Sequence, residues 1–390
     1  MKQGFRARLV SAASSTVGRK GFVSLMVAAL CVKLLISALL PANQDIIDSV
    51  QRATLIAEPG GLSGPWIFLY AMTITAWQWI TGSSLPTRWA YSILAMPTNL
   101  RLLLLMLRLS SIGCDLGIGL ALRYAAVRIK SSTELGRLTC LLWFLNPYTV
   151  YAGDLPAVPD IAAAFLTVLA LVLIVRGKTA LSGLALGMGI AVKLYPILLL
   201  PQFLLYAART RRVSRIILAT LGLIGLVGYI SWAVLLGFKY LSITLISYTP
   251  VTTPIETIIN FFSGYLISIT AVALILVYFI TWTYVKDKNI MLSSLLLPVL
   301  LVYFTFADVY PQYILWAVPF LTLDVIVGRK RNLVLLFILL ALVVIWEILP
   351  VPSPNVFFQL SVPILRNALA ITTLVYAFEV ARALLSRGKL

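Results

Sequence analysis

Long runs of apolar residues alternate with short polar segments along the whole chain. Residues 22–40, 216–236, 265–281 and 333–349 are clear examples, and each is close to the length of a helix that crosses a bilayer. Lipid offers the backbone no hydrogen-bond partners, so a segment that crosses it satisfies its peptide groups internally. The pattern therefore predicts an all-α, polytopic membrane helix bundle with about 11–12 membrane helices.

The composition also indicates a membrane protein. Of the 390 residues, 61% are hydrophobic and 11% are charged, whereas soluble domains are about 25% charged. The net charge of +18 would suggest nucleic acid in a soluble protein. Here the basic residues form short clusters between apolar runs, as the positive-inside rule expects. Nucleic-acid binding is therefore disfavoured, and a single membrane domain over residues 1–390 is predicted.

The basic clusters predict the orientation, because Lys and Arg collect on the cytosolic side. With seven clusters and both termini placed there, the acidic residues fall in the opposite loops. The predicted order is a cytosolic N-terminus (1–20), a first external loop with helices along the membrane (41–100), the rest of the core (101–320) and C-terminal helices (321–390). The predicted spans lie near 21–40, 101–122, 138–150, 160–176, the pair 179–208, 214–236, 263–284, 290–306, 311–327, 332–349 and 360–381.

This orientation has two structural consequences. The apolar stretch 65–80 would lie in or dip into the outer leaflet, and 179–208 would be a re-entrant pair of short helices, broken near Lys193-Leu-Tyr-Pro196. Non-helical backbone at membrane depth is tolerated only against protein or a wet cavity. The alternative makes both stretches ordinary spans and puts the basic clusters at 123–137 and 176–178 outside.

Candidate chemistry is limited by the absence of histidine from the sequence. Catalysis must rest on Asp, Glu, Lys, Arg or Tyr, because His-based triads and His-ligated metals are excluded. Asp45 and Asp48 follow the first span and would share a face of a helical turn. A partly desolvated carboxylate there would be a suitable general base. The alternative is a solvated loop start with a helix-capping Asp.

Three further groups stand out between residues 146 and 196. Asp154 and Asp160 follow Asn-Pro in the second external loop, and helix capping accounts for Asp160 but not for Asp154. Lys193 lies in a glycine-rich apolar segment just before Tyr195 and Pro196. An ionisable residue at membrane depth is a functional hypothesis, and a lysine near the outer leaflet would suit a phosphate headgroup. The alternative is a lysine that snorkels to the interface.

Two more sets of polar residues lie in or beside predicted spans. Arg108 and Asp115 are seven residues apart on one predicted helix, so a structural ion pair is as plausible as a site. Asp308 and Gln312 occur at the external start of a later helix, among aromatic residues typical of an interface belt. The belt does not explain the carboxylate and the amide.

In their order and spacing, these segments resemble the GT-C superfamily of membrane glycosyltransferases. The features are the acidic first loop, the Asn-Pro…Gly-Asp…Asp second loop, the run from Gly187 through Lys193 to Pro196, and Tyr-Pro-Gln312-Tyr-Ile-Leu-Trp316. The resemblance is nearest to mannosyltransferases that use polyprenyl-phosphate-mannose, including the glycosylphosphatidylinositol mannosyltransferases. It covers roughly residues 20–320.

The resemblance implies an inverting hexose transfer from a polyprenyl- or dolichyl-phosphate donor at the outer face. It implies Asp45, with Asp48 in reserve, as the general base. It also implies a divalent metal, Mg²⁺ or Mn²⁺, as an option on acidic loop residues such as Asp45, Asp154 and Asp160. The remaining implied positions bind donor or acceptor and are Asp154, Asp160, Lys193, Tyr195, Asp308 and Gln312.

Other function classes remain open from the sequence. Broken helices and buried charges are also features of transporters and flippases for lipid-linked sugars, although no convincing internal repeat is visible. A non-catalytic membrane subunit is a third class, but it would not need acidic residues collected on one face. The predicted partners are a lipid-linked sugar donor, membrane lipids and a glycan, lipid or protein acceptor. A prokaryotic plasma membrane is the expected location.

Overall fold

The apolar runs of the sequence form helices in the computed structural model. The described residues are 18–40, 46–47, 50, 66–85, 97–154, 156–207, 212–235, 272, 274–279, 298–299, 315–327 and 382, and no β-strand occurs among them. The main helices are α1 (Arg19–Leu39), α2 (Trp66–Thr81), α3 (Thr98–Lys130), α4 (Thr133–Phe144), α5 (Pro159–Val175), α6 (Thr179–Val192), α7 (Leu200–Ala207), α8 (Arg212–Leu235) and α9 (Val318–Val327).

Three helices of this described part are long and apolar enough to cross a membrane. They are α1, α3 and the segment Arg212–Ser231 of α8. α5 and α6 are apolar but shorter. The predicted all-helical character is thus confirmed for the described residues. The predicted spans 332–349 and 360–381, and most of 263–284 and 290–306, lie outside them.

α3 lies at the centre of the main core. α1, α4, α5 and α9 all pack against it, and the shared core includes Ile118, Leu122, Trp143, Ile161 and Phe320. α3 has 33 residues, which gives a length of about 50 Å. The helix continues through Lys130, beyond the predicted span 101–122, so the basic residues from 123 to 130 lie on its last turns instead of in a loop.

α2 and the start of α3 form a second apolar core. Tyr70, Ile74 and Trp77 of α2 pack on Leu103 and Leu107 of α3. The Tyr70 hydroxyl donates to the Ala157 carbonyl oxygen at 2.9 Å, and Trp77 Nε1 donates to the Asn99 carbonyl oxygen at 2.7 Å. The helix predicted at 65–80 is present as 16 residues, which is about 24 Å and shorter than a ~30 Å bilayer core.

α6 and α8 approach each other closely because glycines line their contact. A Cβ added to Gly187 would lie 2.2 Å from the Leu221 carbonyl oxygen, and one on Gly225 would lie 2.1 Å from the Gly187 carbonyl oxygen. Backbone therefore touches backbone at this crossing. Small residues allow this kind of close packing between apolar helices.

The break predicted near Lys193 is present. α6 ends at Val192, Lys193 adopts extended backbone angles, and a 3₁₀ turn, Tyr195–Leu199, leads into α7. Pro196 occupies the first turn of that 3₁₀ segment, where the missing N–H costs nothing. The direction of the chain therefore changes beside a lysine and a tyrosine.

Candidate functional site

A lysine in the middle of α1 holds two carboxylates from elsewhere in the chain. Lys33 is 2% exposed, and its Nζ lies 2.6 Å from Asp115 Oδ2 of α3 and 2.7 Å from Asp154 Oδ2. Its third hydrogen bond goes to Thr149 Oγ1 at 3.1 Å, and the Phe144 ring lies 4.7 Å from Nζ. A lysine ammonium has three donors, so all of them are used. We call Lys33, Asp115, Asp154 and Thr149 the buried charge cluster.

The segment between α4 and α5 shapes this cluster. α4 ends at Phe144, a single helical turn, Pro147–Thr149, follows, and a π-helical turn, Val150–Asp154, brings Asp154 inward. π-turns are rare and are frequent at functional sites. Thr149 Oγ1 also donates to the Asn146 carbonyl oxygen at 2.8 Å. Part of the segment predicted as an external loop is therefore helical, and its residue Asp154 packs against α1 and α3.

The buried charge cluster contains more acid than base. Oδ1 of Asp115 and Oδ1 of Asp154 are buried and have no hydrogen-bond partner among the described residues. Asp154 lies outside the candidate spans, and burial raises its pKa to about 8, with the Asp115 charge acting in the same direction and Lys33 opposing it. Buried unpaired charge is costly. In the favoured state, one of the two carboxyl groups is therefore protonated, and the other is ionised and pairs with the Lys33 ammonium.

The predicted ion pair between Arg108 and Asp115 is wrong. Asp115 pairs with Lys33, and Arg108 instead donates from Nη1 to the carbonyl oxygens of Ser37 at 2.6 Å and Leu40 at 2.8 Å. These carbonyls belong to the last turn of α1 and its C-cap, where no N–H group of the helix remains to bond them. Arg108 and Asp115 are two turns of α3 apart, a distance of about 10 Å along the helix axis.

A second polar group lies where α5 begins and α6 ends. Asp160 is 2% exposed, and its Oδ1 accepts a hydrogen bond from Trp316 Nε1 at 2.7 Å. Its Oδ2 lies 3.4 Å from Lys193 Nζ, and the Lys193 side chain is 25% exposed. The Tyr195 ring stacks on Trp316 with centroids 4.3 Å apart and planes 7° from parallel. We call Asp160, Lys193, Tyr195 and Trp316 the lysine site.

The helix hairpin explains why this site assembles. α5 and α6 are joined by a short turn around Gly177, where φ is +77°. α6 therefore runs back along α5, and its end lies beside the first turn of α5. Gly189 lies on the face of α6 that packs against Leu166 and Pro196, because an added Cβ there would be in van der Waals contact with both residues. Asp160 and Lys193 thus meet across the open end of one hairpin.

The predicted site residues divide into three sets. Asp160, Lys193 and Tyr195 come together in the lysine site, whereas Asp154 belongs to the buried charge cluster. The capping role predicted for Asp160 is wrong, because Val158 is the N-cap of α5 and no side chain caps this helix. The two Asp160 oxygens instead bond Trp316 and Lys193. The predicted residues outside the described part are Asp45, Asp48, Asp308 and Gln312.

Sequence reasoning missed Lys33 and the role of Trp316. Lys33 is the one charged residue in the interior of the first apolar run, and an ionisable residue at membrane depth is a signal by itself. Trp316 lies in the aromatic segment next to Gln312, but its contact with Asp160 joins residues 156 positions apart. No local pattern encodes a contact of that separation.

Asp154 and Asp160, the two described members of the expected ligand set, do not suit the divalent metal that the resemblance allows, and Asp45 lies outside the described residues. The Asp154 carboxylate bonds the Lys33 ammonium, so a metal at that carboxylate would meet a positive charge at close range. Asp160 bonds a different lysine and an indole N–H. Among the residues that the structure describes, no group of three or more Cys, Asp or Glu is arranged to hold a metal ion.

Comparisons with protein-family models and with curated proteins gave no match for this chain.

Proposed function

We propose that the chain is a multi-pass membrane glycosyltransferase of GT-C type. It moves a hexose, with mannose as the first candidate, from a polyprenyl- or dolichyl-phosphate donor to an acceptor at the outer face of a prokaryotic plasma membrane, and both termini are cytosolic. The observation that carries the proposal is the lysine site. A partly exposed ammonium group sits at a break between two apolar helices, and a buried carboxylate and an indole hold it in place.

The chemistry needs a base and a positive charge. The acceptor hydroxyl oxygen attacks the anomeric carbon as the carbon–oxygen bond to the phosphate breaks, so the sugar configuration inverts. The bonding electron pair leaves with the lipid phosphate, and the hydroxyl proton passes to a carboxylate. A fixed cation beside the phosphate stabilises the charge that develops on the leaving group.

Lys193 is the proposed phosphate ligand, and Asp160 and Trp316 are the residues that position it. Lys193 keeps a quarter of its side chain exposed while one face contacts Asp160. The other proposed roles, which lie outside the described residues, are base for Asp45 or Asp48 and donor or acceptor contact for Asp308 and Gln312.

The test is turnover by the purified full chain in nanodiscs. Wild type, Asp45→Asn and Asp48→Asn would each receive polyprenyl-phosphate-mannose or polyprenyl-phosphate-glucose, together with a panel of glycan and lipid acceptors. The proposal expects wild type to release polyprenyl phosphate and one variant to lose about 10²–10⁴-fold in rate, the usual contribution of a general base. A folded wild type that binds donor but never releases polyprenyl phosphate would contradict it.

The buried charge cluster favours transport of lipid-linked sugars as a second candidate. Titratable groups buried between apolar helices are typical of transporters that couple movement to protons. Donor translocation in sealed vesicles, without release of polyprenyl phosphate, would support this candidate against the enzyme. The lysine site favours the enzyme, because its cation is accessible whereas the buried charge cluster is closed.

A further inference from the structure

Two arginines from different parts of the chain converge on one tyrosine at the far end of the α5–α6 hairpin. Arg128 Nε donates to the Tyr124 hydroxyl at 2.8 Å, with its guanidinium carbon 5.5 Å from the ring centroid. The Arg176 guanidinium carbon lies 3.9 Å from the same centroid. Arg128 belongs to the last turn of α3 and Arg176 follows the end of α5. The contact therefore joins two elements through two cations.

No carboxylate lies within ion-pair distance of either guanidinium in the described part of the chain. Both arginine side chains are exposed, and so are the neighbouring Lys130 and Lys178. Like charges this close repel each other, and water screens the repulsion only in part. An anion between the guanidinium groups would turn this repulsion into attraction.

The start of α6 follows Arg176 closely along the chain and has backbone donors of its own. Lys178 is the N-cap of this 14-residue helix, without a side-chain capping bond or an acidic residue in the described first turn. The first N–H groups of a helix and its dipole favour an anion there. Arg176 precedes this terminus by three residues.

We propose that a phosphate-type anion binds between Arg128 and Arg176 at the N-terminus of α6, and that its source is the headgroup of an anionic phospholipid. Guanidinium groups suit phosphate because their fork of donors matches its oxygens. The location supports a lipid source, since α3 is long enough to cross a membrane and this site lies on its last turns. Anionic lipids line the cytosolic leaflet and attract such basic ends. The lipid source therefore rests on the proposed orientation, with these basic clusters cytosolic, but not on the proposed sugar transfer.

The test uses the full chain, delipidated in detergent. Phosphatidylglycerol, phosphatidylcholine and inorganic phosphate would be titrated separately, with the unfolding temperature and bound phosphorus as readouts. Wild type is expected to bind phosphatidylglycerol in preference to phosphatidylcholine, and Arg128→Gln and Arg176→Gln each to weaken that binding at least about tenfold. Lys130→Gln, which removes an equal charge from the same helix, is the matched control, and its effect should stay below about threefold.

Three results would decide whether this anion site exists and whether a lipid supplies the anion. Equal weakening by all three variants would overturn the site, because it would show general attraction to a basic surface. The absence of any preference for phosphatidylglycerol over phosphatidylcholine, together with no response to phosphate, would also overturn it. Binding of inorganic phosphate as tight as that of phosphatidylglycerol, and lost in both arginine variants, would support the anion site but overturn the lipid source.

Discussion

The Lys33 ammonium and the Asp154 carboxylate lie 2.7 Å apart, although 121 positions separate them along the chain. This contact fastens the first helix to the π-helical turn between α4 and α5. Asp160 lies in the first turn of the helix that follows. The buried pair thus anchors the chain just before the helix that carries Asp160.

Removal of the Lys33 charge should destabilise the protein strongly. In Lys33→Met, two buried carboxyl groups lose their common cation, which typically costs about 3–5 kcal/mol. The measurement is the free energy of unfolding of the full chain in detergent. Lys20→Met is the control, because Lys20 is exposed on the same helix, and it should change stability by less than about 0.5 kcal/mol. Equal effects of the two substitutions would contradict the cluster.

Stability should fall as the pH rises toward 8. Burial raises the pKa of Asp154 from its ordinary value of 3.8 to about 8, so between these values the folded state holds a proton that the unfolded state has released. Stability is therefore greatest below the unfolded pKa and is lost as pH rises to the folded pKa. Asp154→Asn, which mimics the protonated form, should flatten this part of a plot of unfolding temperature against pH. An unchanged slope in the variant would assign the titration to another group.

Stability should depend on one glycine of α8 at the α6–α8 crossing and not on another glycine of the same helix. Gly225→Ala places a Cβ against the Gly187 backbone and should cost about 1–3 kcal/mol through overpacking. Gly228, three residues later, has nothing within 4 Å of its added Cβ among the described residues. Gly228→Ala should be neutral or stabilising by up to about 1 kcal/mol, because alanine favours the helix. Equal unfolding temperatures for both variants would show that the helices do not cross here.

The Trp316 indole N–H should matter separately from its ring. Trp316→Phe keeps an aromatic ring beside Tyr195 but removes the donor to Asp160, which frees that carboxylate to draw Lys193 away from a phosphate. The expected result is a rise of about 3- to 30-fold in the dissociation constant for donor, with a loss of stability of about 1–3 kcal/mol because a buried carboxylate loses a donor. Trp79→Phe changes an exposed tryptophan and should leave donor affinity unchanged. Unaltered affinity in Trp316→Phe would mean that the indole does not position Lys193.

Local features of the fold could be predicted from the sequence. The apolar runs locate α1, α3, α5 and α8 because burial in lipid demands long apolar helices. Gly-rich sequence followed by Tyr195-Pro196 locates the break after α6, since proline and glycine act on the backbone at their own positions. The meeting of Asp160 with Lys193 also follows once α5 and α6 are read as a hairpin.

Contacts between distant helices could not be predicted in the same way. Arg108 and Asp115 share a face of α3, but their separation along the axis is too large for an ion pair. The true partner of Asp115 comes from α1, and its approach depends on how α1 is rotated and shifted against α3. A single sequence does not show that rotation. The hydrogen bond between Trp316 and Asp160 could not be predicted for the same reason.

The most direct test of the central claim is the sugar-release rate of Lys193 variants. Lys193→Met and Lys193→Arg would be compared with Lys178→Met, which removes an equal charge at the opposite end of α6. We expect Lys193→Met to lower the rate about 10²–10³-fold, as for loss of a group that stabilises developing charge. Lys193→Arg should retain part of the activity and Lys178→Met nearly all of it. A Lys193→Met protein that folds and releases sugar at the wild-type rate would contradict the account.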